Sequence, residues 1–181
     1  MSSNHSHLKP PVGPQDHAQG GSDASITLLE YGDYQCPYCG EAYPIVKRLQ
    51  KRLGSRLRFV FRNFPLAEAH PFATAAAEMA EAAALQGKFW QMHDALYEHQ
   101  EALDVDHLFK YAAKLDLDID ALKRLLQGGA VIERVRSDFT SGVHSGVNGT
   151  PTFFINGFRF DGNWTDEAEF ASALEAAANS V

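Results

Sequence analysis

The sequence predicts an α/β fold in which a long helical segment is inserted between two parts of one sheet. An apolar run at 26–31, helical spacing of apolar residues over 42–53 and a second strand pattern at 57–64 form a strand, helix, strand unit. Residues 67–146 are almost wholly helical in pattern. The segment 149–160 has the pattern of a β-hairpin and precedes a closing helix.

Individual elements follow from local signals. The first helix is expected to end at Gly54, and Pro44 inside it predicts a kink because proline lacks one helical N–H. The second strand should lie parallel to the first, since the helix between them forms a crossover. Thr165 or Asp166 should cap the closing helix. The insertion contains five predicted helices, at 72–85, 88–99, 105–115, 119–126 and 131–146.

Composition limits both the number of domains and the class of partner. With 181 residues, of which 45% are apolar and 11% aromatic, we expect one well-packed domain that carries an insertion. The formal charge is −7 and no dense Lys/Arg run occurs, which argues against nucleic acid or anionic membrane as partners. No apolar run has membrane-spanning length and the start lacks a secretory pattern, so we expect no membrane insertion and a cytoplasmic rather than periplasmic location.

The predicted organisation has three parts. Residues 1–23 are rich in Ser, His, Gly and Pro and are expected to form a flexible or loosely docked tail. Residues 24–66 and 147–181 should form the domain that contains the sheet. Residues 67–146 should form the helical insertion.

Both cysteines lie where the first strand passes into the first helix. Cys36 is expected at the helix N-terminus, where unpaired N–H groups and the helix dipole favour a thiolate, so we predict an exposed, attacking sulfur. Pro37 suits the first helical position. Cys39 falls one turn further on, where it would be shielded and could resolve a mixed disulfide. The pattern indicates redox chemistry.

Glu30 is the candidate proton acceptor for the resolving step. It lies near the end of an apolar strand, and burial there would raise the pKa of its carboxyl. The alternative is a carboxylate at a strand end that reaches solvent. For the cysteines, the alternatives are half of a zinc site, completed by scattered histidines, and a structural disulfide.

Pro151 stands directly before a β-rich run that ends in Asn156-Gly157, the signature of a tight hairpin turn. Because proline cannot donate to a sheet, it must begin the strand or lie at an edge. A cis Thr150–Pro151 bond would leave the Thr150 backbone able to pair with an extended peptide, whereas an ordinary trans proline is the alternative.

These features together resemble the DsbA-like branch of the thioredoxin superfamily over about residues 24–178. The resemblance rests on Cys-Pro-Tyr-Cys at 36–39, Glu30 at the acidic position before it, the helical insertion, and Gly-Thr-Pro-Thr at 149–152. It implies a thioredoxin fold with an inserted helical domain. It also implies thiol–disulfide oxidoreductase activity.

The resemblance also implies roles for individual residues. Cys36 would be the nucleophile and Cys39 the resolving cysteine. Pro151 would be cis, and Thr150 would join it in contacting substrate beside the sulfurs. Our candidate catalytic residues are therefore Cys36, Cys39 and Glu30, and our candidate substrate-binding residues are Pro37, Tyr38, Thr150 and Pro151. We expect no metal and no cofactor beyond the redox-active Cys36/Cys39 pair.

Two departures from the family bear on function. Strongly oxidising DsbA proteins carry histidine where this chain has Tyr38, so we expect a less oxidising couple. Those proteins are also exported, whereas cytoplasmic reductants would keep the pair largely reduced, which opens a reductase, isomerase or redox-responsive role.

The expected partners are protein or peptide thiols and disulfides, together with a thiol redox partner. Two alternatives remain open. One is a glutathione-dependent, glutaredoxin-like oxidoreductase, since Cys-Pro-Tyr-Cys also resembles that family. The other is a non-catalytic chaperone or binding module that uses an apolar surface around Tyr34, Tyr38 and Pro151.

Overall fold

A computed structural model describes residues 6–179 of the chain. It confirms the predicted α/β class, and the five helices of the insertion begin and end within two residues of the predicted bounds. The elements in chain order are β1 (His17–Gln19), β2 (Ile26–Gly32), α1 (Pro37–Leu53), β3 (Leu57–Asn63), α2 (Ala73–Ala84), α3 (Phe89–Glu98), α4 (Val105–Lys114), α5 (Ile119–Gln127), α6 (Ala130–His144), β4 (Thr152–Ile155), β5 (Phe158–Arg159) and α7 (Glu167–Ala178).

The strands form one mixed sheet in the order β1-β3-β2-β4-β5. The pairs β1–β3, β2–β4 and β4–β5 are antiparallel, so β2 and β3, which α1 connects, form the parallel pair that was predicted. Asn156 and Gly157 join β4 to β5 with φ angles of 48° and 85°. Two successive positive φ values are what a tight type I′ turn requires, which confirms the predicted hairpin.

Helix ends follow the predicted local signals. Gly54 directly follows α1 with φ of 53°, a conformation that glycine adopts without strain. Of the two candidates for the cap of α7, the structure has Asp166, whose carboxylate accepts from the N–H groups of Ala168 at 3.0 Å and Glu169 at 3.1 Å. Aspartates 104 and 118 cap α4 and α5 in the same way.

The chain divides into two compact units. The sheet unit comprises residues up to 32, then 41–62, then 141 onward; its core includes Phe153 and Phe170, whose rings lie 4.9 Å apart. The helical unit comprises 33–40 and 63–140. The cysteine segment 33–40 therefore groups with the helices, whereas the predicted organisation placed it with the sheet.

The N-terminal segment corrects one expectation. Residues 1–23 were predicted to form a flexible or loosely docked tail, of which 1–5 lie outside the described residues. From residue 6 onward that prediction is wrong, because β1 pairs with β3 and His17 lies opposite Phe61. Leu8 is buried, and its N–H donates to the carbonyl oxygen of Gly157 at 2.9 Å. A strand of three residues shows too little alternation to be recognised from sequence.

Arg62 of β3 holds this segment by a buried ion pair. Its Nε and Nη2 donate to the two carboxylate oxygens of Asp16 at 2.8 and 2.9 Å. Its guanidinium also donates to the carbonyl oxygens of Pro10 and Pro11 and to the hydroxyl of Tyr31. Burial acts to lower the pKa of Arg62, but hydrogen bonding to Asp16 and Tyr31 outweighs it and holds that pKa above its ordinary value. The guanidinium therefore stays charged inside the fold.

Removing one partner of this buried ion pair should lower the free energy of unfolding far more than removing one partner of an exposed ion pair. The side chains of Arg62 and Asp16 are 4% and 7% exposed, so Asp16→Asn leaves a buried charge without its counterion. We expect the free energy of unfolding in urea to fall by about 3 kcal/mol. The matched control is Glu167→Gln, which breaks the exposed pair with Arg48 and should change that free energy by less than about 1 kcal/mol. Equal losses would contradict the role given to Arg62.

Candidate active site

The candidate active site is the segment 33–40, which leads into α1. The helix begins at Pro37, so Cys36 directly precedes it, as predicted. The N–H of Gly40 donates to the carbonyl oxygen of Cys36 at 3.1 Å and forms the first hydrogen bond of the helix. The N–H groups of the first turn and the helix dipole favour a negative charge at this end. The backbone of α1 therefore favours the thiolate form of Cys36.

Both cysteines are buried, which corrects part of the prediction. Cys39 is 0% exposed and Cys36 is 3% exposed. The Sγ atom of Cys39 accepts a hydrogen bond from the backbone N–H of Asp33 at 3.5 Å. The shielded position predicted for Cys39 is confirmed. The exposed position predicted for Cys36 is wrong, because burial is set by the packing of the folded chain and not by a position at a helix N-terminus.

Asp33 organises the backbone of the segment. Its Oδ1 accepts from the N–H groups of Gln35 at 2.8 Å and Cys36 at 3.2 Å. Its Oδ2 accepts from the N–H of Leu66 at 2.8 Å and faces Nδ1 of His70 at 2.8 Å. The carboxylate is 0% exposed, so these protein groups replace the water that would otherwise solvate it. One side chain thus joins the cysteine segment to the segment that precedes α2.

Gln35 makes a second link to that segment. Its Oε1 accepts from the N–H of Phe72, the residue before α2, at 2.7 Å. This N–H belongs to the first turn of the helix, where no intrahelical acceptor exists. The start of α2 and the start of α1 are therefore connected through two side chains of the cysteine segment, Asp33 and Gln35.

Gln100 holds the carbonyl groups of the same segment. Its Nε2 donates to the carbonyl oxygens of Tyr34 at 2.8 Å and Cys36 at 2.9 Å. The approach is possible because residue 40 is glycine: a Cβ atom there would lie 2.7 Å from Cδ of Gln100. A side chain at position 40 would therefore displace the Gln100 amide from the carbonyl groups.

Tyr34 is part of the helical core and not of a surface. Its hydroxyl lies 3.0 Å from Nδ1 of His93, and its ring packs against those of His93 and Tyr97. Tyr34 is 1% exposed, whereas Tyr38 is 62% exposed. The apolar surface that was predicted around Tyr34, Tyr38 and Pro151 is therefore wrong for Tyr34, because its ring is enclosed by α3.

The remaining predicted site residues lie in the sheet unit. Glu30 is in β2 and is 2% exposed, so the alternative in which it reaches solvent is wrong. The Thr150–Pro151 peptide bond is cis, as the resemblance implied. The hydroxyl of Thr152 donates to the carbonyl oxygen of Gly149 at 2.7 Å and closes the turn before β4. The chemical roles of Glu30, Thr150 and Pro151 stay predictions.

Sequence reasoning missed three side chains that shape the site. Asp33 had a local signal, since an aspartate that accepts from N–H groups two and three residues further on is typical of an Asx turn. His70 and Gln100 had none. They meet their partners across 37 and 66 residues of sequence, and such contacts leave no local pattern.

Comparisons with known proteins agree with this fold. A family model described as thioredoxin matches residues 13–176. The structure is similar to that of a thioredoxin-like oxidoreductase from Silicibacter pomeroyi, with a TM-score of 0.82, 25% identity, and coverage of 93% of this chain and 95% of that one.

Two further solved structures show the same fold at lower identity. BdbD from Bacillus subtilis has a TM-score of 0.78 and 24% identity, and the match covers 91% of this chain and 94% of that one. Alpha-DsbA1 from Wolbachia pipientis has a TM-score of 0.81 and 18% identity, and 93% of each chain is covered. The helical insertion is thus part of a recurring architecture.

The curated relatives are longer proteins. The chain is 44% identical over 173 residues to the Na⁺/H⁺ antiporter NhaA 3 of Salinispora tropica, a match that covers 95% of this chain and 26% of that protein. It is also 44% identical over 170 residues to the Na⁺/H⁺ antiporter NhaA of Herminiimonas arsenicoxydans, covering 93% and 27%. The chain therefore spans about a quarter of the length of the curated relatives it matches.

These relatives overturn the cytoplasmic location predicted from the sequence. That prediction rested on the absence of a secretory pattern and of a membrane-spanning run within 181 residues. Regions similar to this chain occur inside proteins named for ion exchange, so these features do not determine where such a region resides. Within residues 6–179, none of the helices combines the length and the apolar character needed to cross a bilayer.

The family model covers nearly the whole described chain, and the sheet order, the inserted helices and the cis proline agree with the resemblance found in the sequence. The Cys-Pro-Tyr-Cys segment lies at the start of the helix that follows the first long strand. The chain belongs to the thioredoxin family, and its fold, with the helical insertion, is similar to that of BdbD and alpha-DsbA1.

Proposed function

We propose that this chain exchanges disulfides with protein or peptide substrates through Cys36 and Cys39. The observation that carries the proposal is the position of the pair: Cys36 directly precedes a helix of 17 residues, and Cys39 is fully buried one turn further on. A thiolate is favoured at the first position by the helix N-terminus, and a protonated thiol is favoured at the second by burial. Two sulfurs with different tasks are what a dithiol exchange needs.

In the first step, the Cys36 thiolate attacks one sulfur of a substrate disulfide. A mixed disulfide forms, and the other substrate sulfur leaves as a thiolate that takes up a proton. Cys39 then loses its proton and attacks the Cys36 sulfur, so the Cys36–Cys39 bond forms and the second substrate sulfur leaves. The substrate has gained two electrons, and the pair has lost two. The reverse sequence delivers a disulfide to a substrate dithiol.

The surroundings of the pair support this assignment. Tyr38, the residue between Pro37 and Cys39, is 62% exposed and offers a ring against which an apolar substrate side chain can pack. Glu30, which is buried in β2, stays the proton acceptor that the sequence predicts for Cys39. A thiol or disulfide redox partner restores the pair after each turnover, and its potential decides the direction of transfer.

The two cysteines should differ in the effect of replacement by serine. Cys36→Ser should abolish exchange, because no sulfur remains to attack the substrate. Cys39→Ser should accumulate a mixed disulfide between Cys36 and the substrate, because the resolving thiol is lost. The measurement is non-reducing electrophoresis and intact mass after incubation with a peptide that carries one internal disulfide. The control is the double variant, which should trap nothing.

The same variants separate the alternatives. Turnover of a glutathionylated peptide by the Cys39→Ser variant would replace the proposal with glutathione-linked chemistry, which needs only one cysteine. Unchanged binding of an unfolded chain by the double variant, together with no exchange by the wild-type protein, would replace it with a binding module.

Loss of the Gln100 donor should loosen the cysteine segment and slow exchange. Gln100→Met keeps the length of the side chain but leaves the carbonyl groups of Tyr34 and Cys36 without this donor. We expect the free energy of unfolding to fall by about 1–3 kcal/mol and the exchange rate to fall several-fold. The matched control is Gln86→Met, which removes two hydrogen bonds to the backbone of Asp118 elsewhere in the helical unit and should leave the exchange rate unchanged. Equal rates for both variants would contradict this role of Gln100.

A further inference from the structure

The cysteine segment contains a buried carboxyl group next to the backbone of its attacking cysteine. The carboxylate of Asp33 is 0% exposed, and its Oδ1 lies 3.2 Å from the backbone nitrogen of Cys36. A cysteine side chain is short, so its sulfur stays within a few ångströms of its own backbone nitrogen. The carboxylate and the sulfur are therefore close enough to interact electrostatically in an environment from which water is largely absent.

Asp33 accepts hydrogen bonds from several backbone groups. Three backbone N–H groups and the Nδ1 of His70 surround its two oxygens. Backbone N–H groups only donate, and hydrogen bonds donated to a carboxylate stabilise its charged form. Among the described titratable groups of the helical unit, His70 contacts Asp33, and His93 and Tyr97 contact Tyr34.

This charge opposes the effect of the helix. The N-terminus of α1 stabilises a thiolate at Cys36, whereas a second negative charge nearby destabilises it. The N–H of Cys36 donates both to the carbonyl oxygen of Asp33 at 3.1 Å and to its carboxylate at 3.2 Å. The disulfide carries no charge, so its stability does not depend on the charge of Asp33. A less stable thiolate therefore makes the reduced pair less stable relative to the disulfide.

We propose that Asp33 is the positioning residue that sets the redox equilibrium of the Cys36/Cys39 pair. Its hydrogen bonds fix the backbone of the segment, and its charge disfavours the Cys36 thiolate and so makes the couple less oxidising. The inference rests on the proposed dithiol exchange and deepens it. A side chain that precedes the cysteines would thus make the couple less oxidising, in addition to Tyr38, which lies between them.

The test compares uncharged variants in equilibrium with glutathione. Two glutathione thiols give up two electrons and two protons, the Cys36–Cys39 bond breaks to give two thiols, and one glutathione disulfide forms. For Asp33→Asn we expect the equilibrium constant at pH 8 to move toward the protein dithiol by about three- to tenfold. The pKa of the Cys36 thiol, followed by thiolate absorbance, should fall by about one unit, since removing a nearby like charge favours the thiolate.

A second variant guards against a purely geometric effect. The amide introduced by Asp33→Asn would direct donors at N–H groups, so Asp33→Ala is measured as well, because it removes the charge without adding a donor. Both variants should shift the equilibrium in the same direction. The matched control is Asp118→Asn, which removes a carboxylate that caps α5 in the same unit and should change neither quantity.

The outcomes separate the two proposals. A wild-type protein that never equilibrates with glutathione would contradict the proposed function. A wild-type protein that equilibrates, with folded Asp33 variants that leave both quantities unchanged, would contradict only the role of Asp33. Failure of both variants to fold would also count against it, since Asp33 would then be needed for the fold and not for the redox equilibrium.

Discussion

The hydrogen bonds that fix segment 33–40 are the constraint on which the candidate site depends. Asp33 gathers N–H groups of the segment on its carboxylate, and Gln100 donates to the carbonyl groups. The donors and the acceptors of one short stretch of backbone are thus satisfied by two side chains in place of water. A buried polar network that is well satisfied is rigid, so the entry to α1 has little freedom and the two cysteines keep their spacing.

In the sheet unit, a buried ion pair between Arg62 and Asp16 holds the N-terminal segment. Arg62 joins β3 to the segment before β1 through Asp16 and two proline carbonyl groups. Both side chains of the pair are nearly fully buried, so the attraction is screened little by solvent, but each charge depends on the other. The guanidinium of Arg62 therefore adds to the strand pairing of β1 with β3 and to the burial of Leu8 in holding the N-terminal segment on the sheet unit.

The sequence correctly predicted those structural features whose physical cause lies within a few neighbouring residues. Gly54 after α1, Asn156-Gly157 between β4 and β5, and the aspartates that cap helices all work locally, and the structure contains each of them. The cysteine pair and Pro37 were likewise placed correctly by spacing alone. β1 was not predicted, because it has only three residues and pairs with β3, which lies far from it in the sequence. The near-complete burial of Cys36 was not predicted either, because it results from the packing of the folded chain.

The contact between Gly40 and Gln100 couples two positions that lie far apart in the sequence. Any side chain at position 40 would occupy the space of the Gln100 amide, so enlarging one residue forces the other to shrink or turn away. A shorter residue at position 100 would make room but would no longer reach the carbonyl groups of Tyr34 and Cys36. In a combinatorial library these two codons should therefore be randomised jointly, because a side chain at position 40 and the amide of Gln100 compete for the same space.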